Sequence, residues 1–464
     1  MKIHTCYVVD IKQQLRAVPD RETQKLHVTG SCSVDGRLMK KTAEFCLEAL
    51  TFCVTVFQRE WDLLGGLSGV VRKRTADLML HSTRDNTARY PEFDLRFANM
   101  PAYTRRTVIA KALGIVSSYR SNLADWQALA PARREKEPVL GLPQRYELTF
   151  YDQERKLSCL EKGQIGLKLY NGSSWDWYYF QISVSDAAYL SGLCRTRKML
   201  SPVIEKVRGK YRIRFCFEEE QPLVQGEDRL AYTVLAVDLG INAAASWCVM
   251  TAEGAVHAKG VIRLACEEDR LNRLINRKRL YQRSGKKSRC IYRWIRDANR
   301  HLSIRTTKAL MDIAVLYNVD CIVFEHLDRK GKIHGKKYRE RIHLWRKNDV
   351  QKRVGLQAHR HGMRISYVCA WGTSNLAYDG SGHVDRHSVC RFKHGETVYN
   401  YSLCTFPSGK VYNCDLSAAQ NIGARFFLRE YEKNGAKGLP STPQRTLCTL
   451  RFFAGHGLPG IPAV

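Results

Sequence analysis

The sequence predicts a multidomain α+β protein: a β-rich first half that carries a helical insertion, followed by an α/β half. Three observations lead there. The chain has 464 residues, too many for one core by default, and 44% of them are hydrophobic, enough for more than one. The hydrophobic period switches to two after the Pro-rich stretch 131–143. After the acidic break Glu218-Glu219-Glu220 it switches again, to short apolar runs alternating with long charged helical stretches.

Residues 3–35 read as extended segments. A helix follows over about 42–62, with Phe45, Leu47, Leu50, Phe52, Cys53 and Val56, and Arg-dotted helical sequence continues to about Arg134. Tyr146–Phe150, Trp177–Ile182 and Tyr211–Phe217 alternate as strands, with Asn171-Gly172 as a turn signal. The aromatic cluster Trp175, Trp177, Tyr178 and Tyr179 suits either a core strand or base stacking. In the second half, Thr233–Val237 reads as a buried strand, and strands near 244–250 and 255–264 follow it around Glu253-Gly254. A long charged helical region spans about 267–317, then strand 321–324, helix 344–361, strand 363–369 and a last helix over 416–431. Three meandering strands, helix, strand, helix, strand, helix is the ribonuclease-H-like order.

Lys plus Arg number 75 against 45 Asp plus Glu, a formal charge of +30, and a folded chain with that surplus needs a polyanionic partner. Nucleic acid is the expected one. No apolar stretch approaches the roughly 18 residues of a spanning helix, so no membrane role is expected, and Met1–Thr5 carry no apolar signal region. None of the 16 cysteines is paired at knuckle spacing, which points to a reducing compartment.

Three acids sit at the edges of apolar elements. Asp238 closes Val234–Val237, Glu325 closes Ile322–Phe324, and Asp415 opens the last helix. Groups at the carboxyl ends of strands in an open α/β sheet converge on one crevice. Carboxylates facing a polyanion need cations between them, and two Mg²⁺ ions about 3.5–4 Å apart suit phosphodiester chemistry. Each ion prefers one or two carboxylates plus waters and phosphate oxygens. Taken singly, Asp238 also reads as a turn residue, Glu325 as a strand end and Asp415 as an N-cap. Their conjunction on one topology is what points to a site.

Val237-Asp238-Leu239-Gly240-Ile241-Asn242, Val323-Phe324-Glu325-His326-Leu327 and Asp415-Leu416-Ser417-Ala418-Ala419-Gln420-Asn421-Ile422 resemble the three RuvC motifs of the TnpB and compact type V CRISPR effector family. Trp345, Ala358, Gly362 and Thr373-Ser374 fall where that family carries a Trp-led helix, an Ala–Gly turn and a Thr-Ser pair. The motif resemblance covers roughly residues 230–430, while the first half matches in layout alone. It implies a RuvC nuclease domain and a β-barrel wedge with an inserted helical recognition lobe. The corresponding ranges are wedge 1–40 and 136–228, recognition lobe 41–135, RuvC motifs I and II 229–368, a degenerate zinc-ribbon-like insert 369–412, motif III 413–433 and a flexible tail 434–464. It further implies that Asp238, Glu325 and Asp415 are catalytic and bind Mg²⁺, two ions being expected, with guide RNA and target DNA as partners. The setting is the prokaryotic cytoplasm, acting at DNA.

Relatives usually hold zinc on four cysteines before the last motif. Here Ala377 and Gly380 occupy the first pair of positions and Pro407 the partner of Cys404, so zinc is not expected. Arg386 and Arg391 are candidates for a supporting cation near the scissile phosphate. Candidate nucleic-acid contacts are Arg273, Arg277, Arg283, Lys286, Lys287, Arg289, Arg293, Arg296 and Arg300 on the charged helix, with Lys336 and Lys337 on the loop beyond Glu325. Steps of three and four line Arg289, Arg293, Arg296 and Arg300 along one helix side. The expected function is RNA-guided DNA cleavage by Mg²⁺-dependent hydrolysis at one RuvC site. The alternative is a guide-dependent DNA binder with weak or no cleavage, acting as a transcriptional block or recruitment module.

Overall fold

The computed structural model describes residues 1–455 apart from 20–25, 135, 158–159, 225–227, 241–242, 287, 327–346, 387–389, 394–395 and 401. Two compact units divide the chain, Lys2–Glu219 and Glu220–Val464, the latter with Met1.

The first unit begins with strands β1 (Lys2–Asp10), β2 (Gln13–Pro19) and β3 (Leu26–Cys32). Helices α1 (Gly36–Arg59), α2 (Trp61–Leu64), α3 (Gly69–Leu80), α4 (Glu92–Arg96) and α5 (Ala102–Ala128) come next. Asp35 caps α1 by accepting from the Arg37 amide at 2.9 Å. Buried Cys46, Ala49, Leu50, Cys53, Val54 and Phe57 recur along α1 at helical spacing, and α5 packs against it with Val108, Ile109 and Ala112. The chain then forms β4 (Leu148–Thr149), β5 (Arg155–Lys156), β6 (Gln164–Tyr170), β7 (Trp175–Gln181), α6 (Val184–Thr196), β8 (Lys198–Met199), β9 (Val203–Val207) and β10 (Lys210–Glu220).

These strands make two open sheets on one core. One runs β1-β10-β9-β4 with β8 against β10; the other runs β3-β2-β7-β6-β5. The chain steps between them at residues 11 and 12: the Ile11 amide donates to Tyr211 O at 3.0 Å, and the Lys12 amide to Gln181 O at 2.8 Å. No barrel closes among the described residues, which corrects the expected wedge barrel. β4, β5 and β8 are two residues long, too short to carry a closing ladder. The aromatic strand turns out to be core. Tyr179 is buried, and Trp175 and Tyr178 pack on the apolar cluster, so base stacking by these residues is not favoured.

The second unit holds β11 (Val234–Asp238), β12 (Ala245–Met250), β13 (Val256–Ile262), α7 (Ala265–Arg283), α8 (Arg289–Leu316), β14 (Cys321–His326), α9 (Lys347–Arg360) and β15 (Arg364–Cys369). Two small hairpins follow, β16 (Cys390–Lys393) with β17 (Glu396–Tyr399) and β18 (Leu403–Thr405) with β19 (Val411–Asn413), and then α10 (Cys414–Lys433) and α11 (Leu447–Gly455). The main sheet runs β13-β12-β11-β14-β15. β11 pairs antiparallel with β12 and parallel with β14, which pairs parallel with β15. This is the element order read from hydrophobic periodicity.

Alternation along the strands builds a core on each face. Val234, Ala236, Cys248, Met250, Cys321 and Val323 meet Ala419, Ile422, Phe426 and Phe427 of α10. Leu235, Val237, Val249, Ile322 and Phe324 meet Leu310, Met311 and Ala314 of α8 and Val350 and Val354 of α9. Sequence alone suggested one long helical region at 267–317. It is two helices, folded back around Gly285, whose φ of +68° favours glycine. Leu271 and Ile275 close against Ile291 and Ile295 to join them. The tail also departs from expectation: Leu447 and Leu450 of α11 are buried in the core under α10. Among the described residues no helix is long and apolar enough to cross a membrane.

Candidate active site

Asp238 and Glu325 lie near the ends of the two central parallel strands. The register sets Val237 beside Phe324, so Asp238 and Glu325 follow side by side. Alternation then turns both toward the α10 face, because Ala236 and Val323 point there. α10 brings the third acid. Its N-cap is Asn413, whose side chain accepts from the Leu416 amide at 2.9 Å. Asp415 in the first turn is therefore not used as the cap, which settles that alternative.

The sequence around each acid explains the approach. A Cβ on Gly423 would meet Ala236 Cβ at 3.1 Å as well as the Met250 side chain, so α10 lies against β11 and β12 at a distance only glycine permits. Ala419 is fully buried in the same core, and Ala418 beside it is fully buried as well. Asn421, also fully buried, donates to the carbonyls of Thr373 (3.1 Å) and Leu376 (2.9 Å), and Ser417 accepts from the Tyr378 amide at 3.0 Å. The Asp-x-x-Ala-Ala-x-Asn pattern thus fixes the helix to both the sheet and the segment after β15. Gly240 has a local reason as well, since a Cβ there would lie 2.8 Å from Ala243 O.

Each acid is held above its ordinary proton affinity. For Asp238 burial is the first cause, then the negative charges of Glu325 and Asp415, while Arg386 opposes them. Part of Asp238 still reaches solvent. Burial likewise raises Glu325, against a hydrogen bond from Thr373 Oγ1 and the charges of Arg425 and Lys347. Burial raises Asp415, against Arg386 and Arg263. The three acids form one electrostatic cluster. Among the described residues, no group of three or more His, Cys, Asp or Glu is arranged to hold a metal ion as it stands.

Arg386 is placed beside two of the acids. Its Nη2 donates to Ser374 O at 2.7 Å, and its Nε is buried without a hydrogen-bond partner. Arg391 lies on β16, but its side chain is outside the described residues. Sequence reasoning missed Arg425, which is 3% exposed and donates to the carbonyls of Cys369 and Trp371, both at 2.8 Å. A lone cation inside the apolar run Ile422–Leu428 was the signal available. It also missed Gln351, whose Nε2 donates to Glu325 O at 3.1 Å.

The basic candidates on α7 and α8 project from the helical hairpin. Arg273, Arg277, Arg283, Lys286, Arg289, Arg293, Arg296 and Arg300 are exposed. Arg277 lies 6.0 Å from the ring centres of both Tyr281 and Trp294, adding an aromatic face to the cationic one. Lys287, Lys336, Lys337 and Trp345 fall outside the described residues.

In the insert, Ala377 packs with Cys404, Phe406 and Cys414 in a small apolar cluster. Asp379 Oδ1 accepts from the Ser381 amide and hydroxyl at 3.1 and 2.6 Å, closing a tight turn there.

Comparison with solved structures bears on the whole chain. A Cas12f1–sgRNA–target DNA complex aligns with a TM-score of 0.51 at 10% identity, covering 90% of this chain and 99% of that one. The chain has the fold of the compact type V CRISPR effectors. The resemblance read from the motifs is thereby borne out for this type V-like fold. CasPhi-2 (Cas12j) bound to crRNA and phosphorothioate-DNA aligns at a TM-score of 0.45 and 10% identity, covering 96% of this chain and 92% of that one. C2c1 of Alicyclobacillus acidoterrestris with single-guide RNA aligns at 0.33 and 12% identity, covering 84% and 69%. A family model described as the Aq_aa04 family matches residues 22–171. No curated protein matches the sequence.

Proposed function

We propose that the chain is an RNA-guided DNA endonuclease that hydrolyses target phosphodiesters in a single RuvC-like site at Asp238, Glu325 and Asp415. The observation that carries the reading is electrostatic: the charges of Glu325 and Asp415 both raise the proton affinity of Asp238. Acids crowded in this way favour protons or a cation. A donor set made of carboxylate oxygens suits Mg²⁺, with Asp238, Glu325 and Asp415 as its holders. When bound, such a cation supplies Lewis-acid stabilisation and an acidified water.

The chain's own groups do the rest. Thr373 orients the Glu325 carboxylate, and Asn421 holds the Thr373 carbonyl in turn. Arg386, fixed by Ser374 O, has its free Nε beside the acids, a donor suited to a phosphate oxygen. The α7–α8 hairpin offers its exposed arginines to a phosphate backbone, the contact a guide–target heteroduplex requires. The Cas12f1 complex that shares this fold holds an sgRNA and target DNA, which supports the same classes of partner here.

The test is purification with co-bound RNA, followed by plasmid cleavage with and without Mg²⁺. Asp238→Ala is expected to lose about 1,000-fold or more in cutting while target binding persists. Normal cutting by Asp238→Ala would mean the site is elsewhere. Guide-dependent binding without cutting in the unaltered protein would favour the binding-module alternative.

A further inference from the structure

The described cysteines are all free, and most behave as small buried residues or stand alone at the surface. Cys6 on β1 and Cys216 on β10 do neither. Their sulfurs lie 3.0 Å apart; Cys6 is exposed and Cys216 half-buried. The other close pair, Cys404 and Cys414, is sealed in the apolar cluster of the insert.

Strand geometry explains why Cys6 and Cys216 meet. The Ile11 amide bonds Tyr211 O, and Arg212 Nε bonds Asp10 Oδ1 at 2.6 Å, so the two strands run antiparallel with Ile11 opposite Tyr211. Counting five residues back along β1 and five forward along β10 puts Cys6 opposite Cys216, at a position without backbone hydrogen bonds between the two residues. Such pairs have Cα atoms about 4.5 Å apart, inside the range of roughly 4.4–6.8 Å that a disulfide spans. Ile213, Phe215 and Phe217 of β10 face the core, which leaves Cys216 on the outward side with Arg212 and Arg214.

We propose that Cys6 and Cys216 form an oxidation-sensitive dithiol, a modification site for peroxides at which a cross-strand disulfide closes. The exposed Cys6 is the sulfur a peroxide reaches. Burial, and then the hydrogen bond with Cys6, push the Cys216 thiol up to about 11, so it stays protonated until its neighbour is oxidised. In the first step the Cys6 thiolate attacks hydrogen peroxide; the O–O bond breaks, giving a Cys6 sulfenic acid and hydroxide. In the second step Cys216 loses its proton and attacks the Cys6 sulfur. The S–S bond forms, the S–O bond breaks, and the departing hydroxide leaves as water. Two thiols are oxidised by two electrons in total, and the peroxide is reduced to two waters. The product pins the first strand of this unit to its last, closing a ring around nearly all of Lys2–Glu219.

The experiment uses the full-length protein. Mild hydrogen peroxide, quenching, alkylation and non-reduced peptide mapping are expected to yield a linked Cys6–Cys216 peptide that dithiothreitol removes. Oxidation is expected to raise a thermal midpoint of unfolding by ~5–10 °C, and not to do so in Cys6→Ser. The exposed Cys266 and Cys290 serve as internal controls for oxidant exposure. If these controls oxidise while Cys6 and Cys216 both remain alkylatable, the site is overturned. A linked peptide with an unmoved midpoint would overturn the pinning.

Discussion

Glu325 and Glu430 are both buried acids of the second unit, 8% and 5% exposed, yet their surroundings are opposite. Glu430 is neutralised. Arg429 and Lys433 each approach it at 3.0 Å and Arg229 at 3.7 Å. Glu325 bonds a neutral hydroxyl, Thr373, and shares its crevice with two further acids. A buried carboxylate kept for stability is held by close ion pairs; here the acids crowd one another, and the charges of Glu325 and Asp415 both raise Asp238. The difference separates a structural acid from a candidate catalytic one without any sequence comparison.

The largest test of that contrast is a matched pair of substitutions. Glu325→Gln is expected to reduce cutting by about 1,000-fold at little cost in stability. Glu430→Gln is expected to cost about 2–3 kcal/mol in chemical denaturation, with cutting per folded molecule retained. If the two swap outcomes, the distinction between them fails. A smaller effect is expected from Thr373→Val. Its hydroxyl lowers the proton affinity of Glu325, so removing it should move the cutting–pH profile upward and reduce the rate near neutrality about 10-fold. An unmoved profile would show that the bond does not matter.

The smallest effect is on stability against pH in the presence of a chelator. The three acids have raised affinities in the fold, so the folded state keeps protons that the unfolded chain releases. Their stabilisation is present below the ordinary carboxylate pKa of about 4 and is lost as pH rises through the raised values. Denaturation midpoints should therefore fall over that window, and Asp238→Asn should flatten the fall. A slope of the opposite sign would contradict the shifts.

The parts of the fold legible in the sequence are those set by local period. Val234–Val237 and Cys321–Phe324 are apolar on both faces because helices cover both sides of the sheet, and that pattern placed Asp238 and Glu325 at strand ends. What local pattern does not encode is partnering at long range. Whether β1 meets β10 to close a barrel or to edge an open sheet depends on residues some 200 positions apart. The tail misled for a related reason: its Gly and Pro content hid the short apolar run Leu447–Leu450, whose burial depends on α10. The partners of Arg425 were not legible locally, since the carbonyls it binds, those of Cys369 and Trp371, belong to another segment.

Gly423 sits eight residues beyond Asp415 on α10, about 12 Å along the helix axis. It touches no part of the acid cluster, and its role is to let the helix rest on Met250 and Ala236. A methyl group there would lift the helix as a lever, and the load would fall on the carboxylate at its far end. In a mutational scan scored by cutting, position 423 would stand among the active-site residues although its atoms do no chemistry. Tolerance maps of this half of the molecule therefore trace the mechanical supports of the acids as much as the acids themselves.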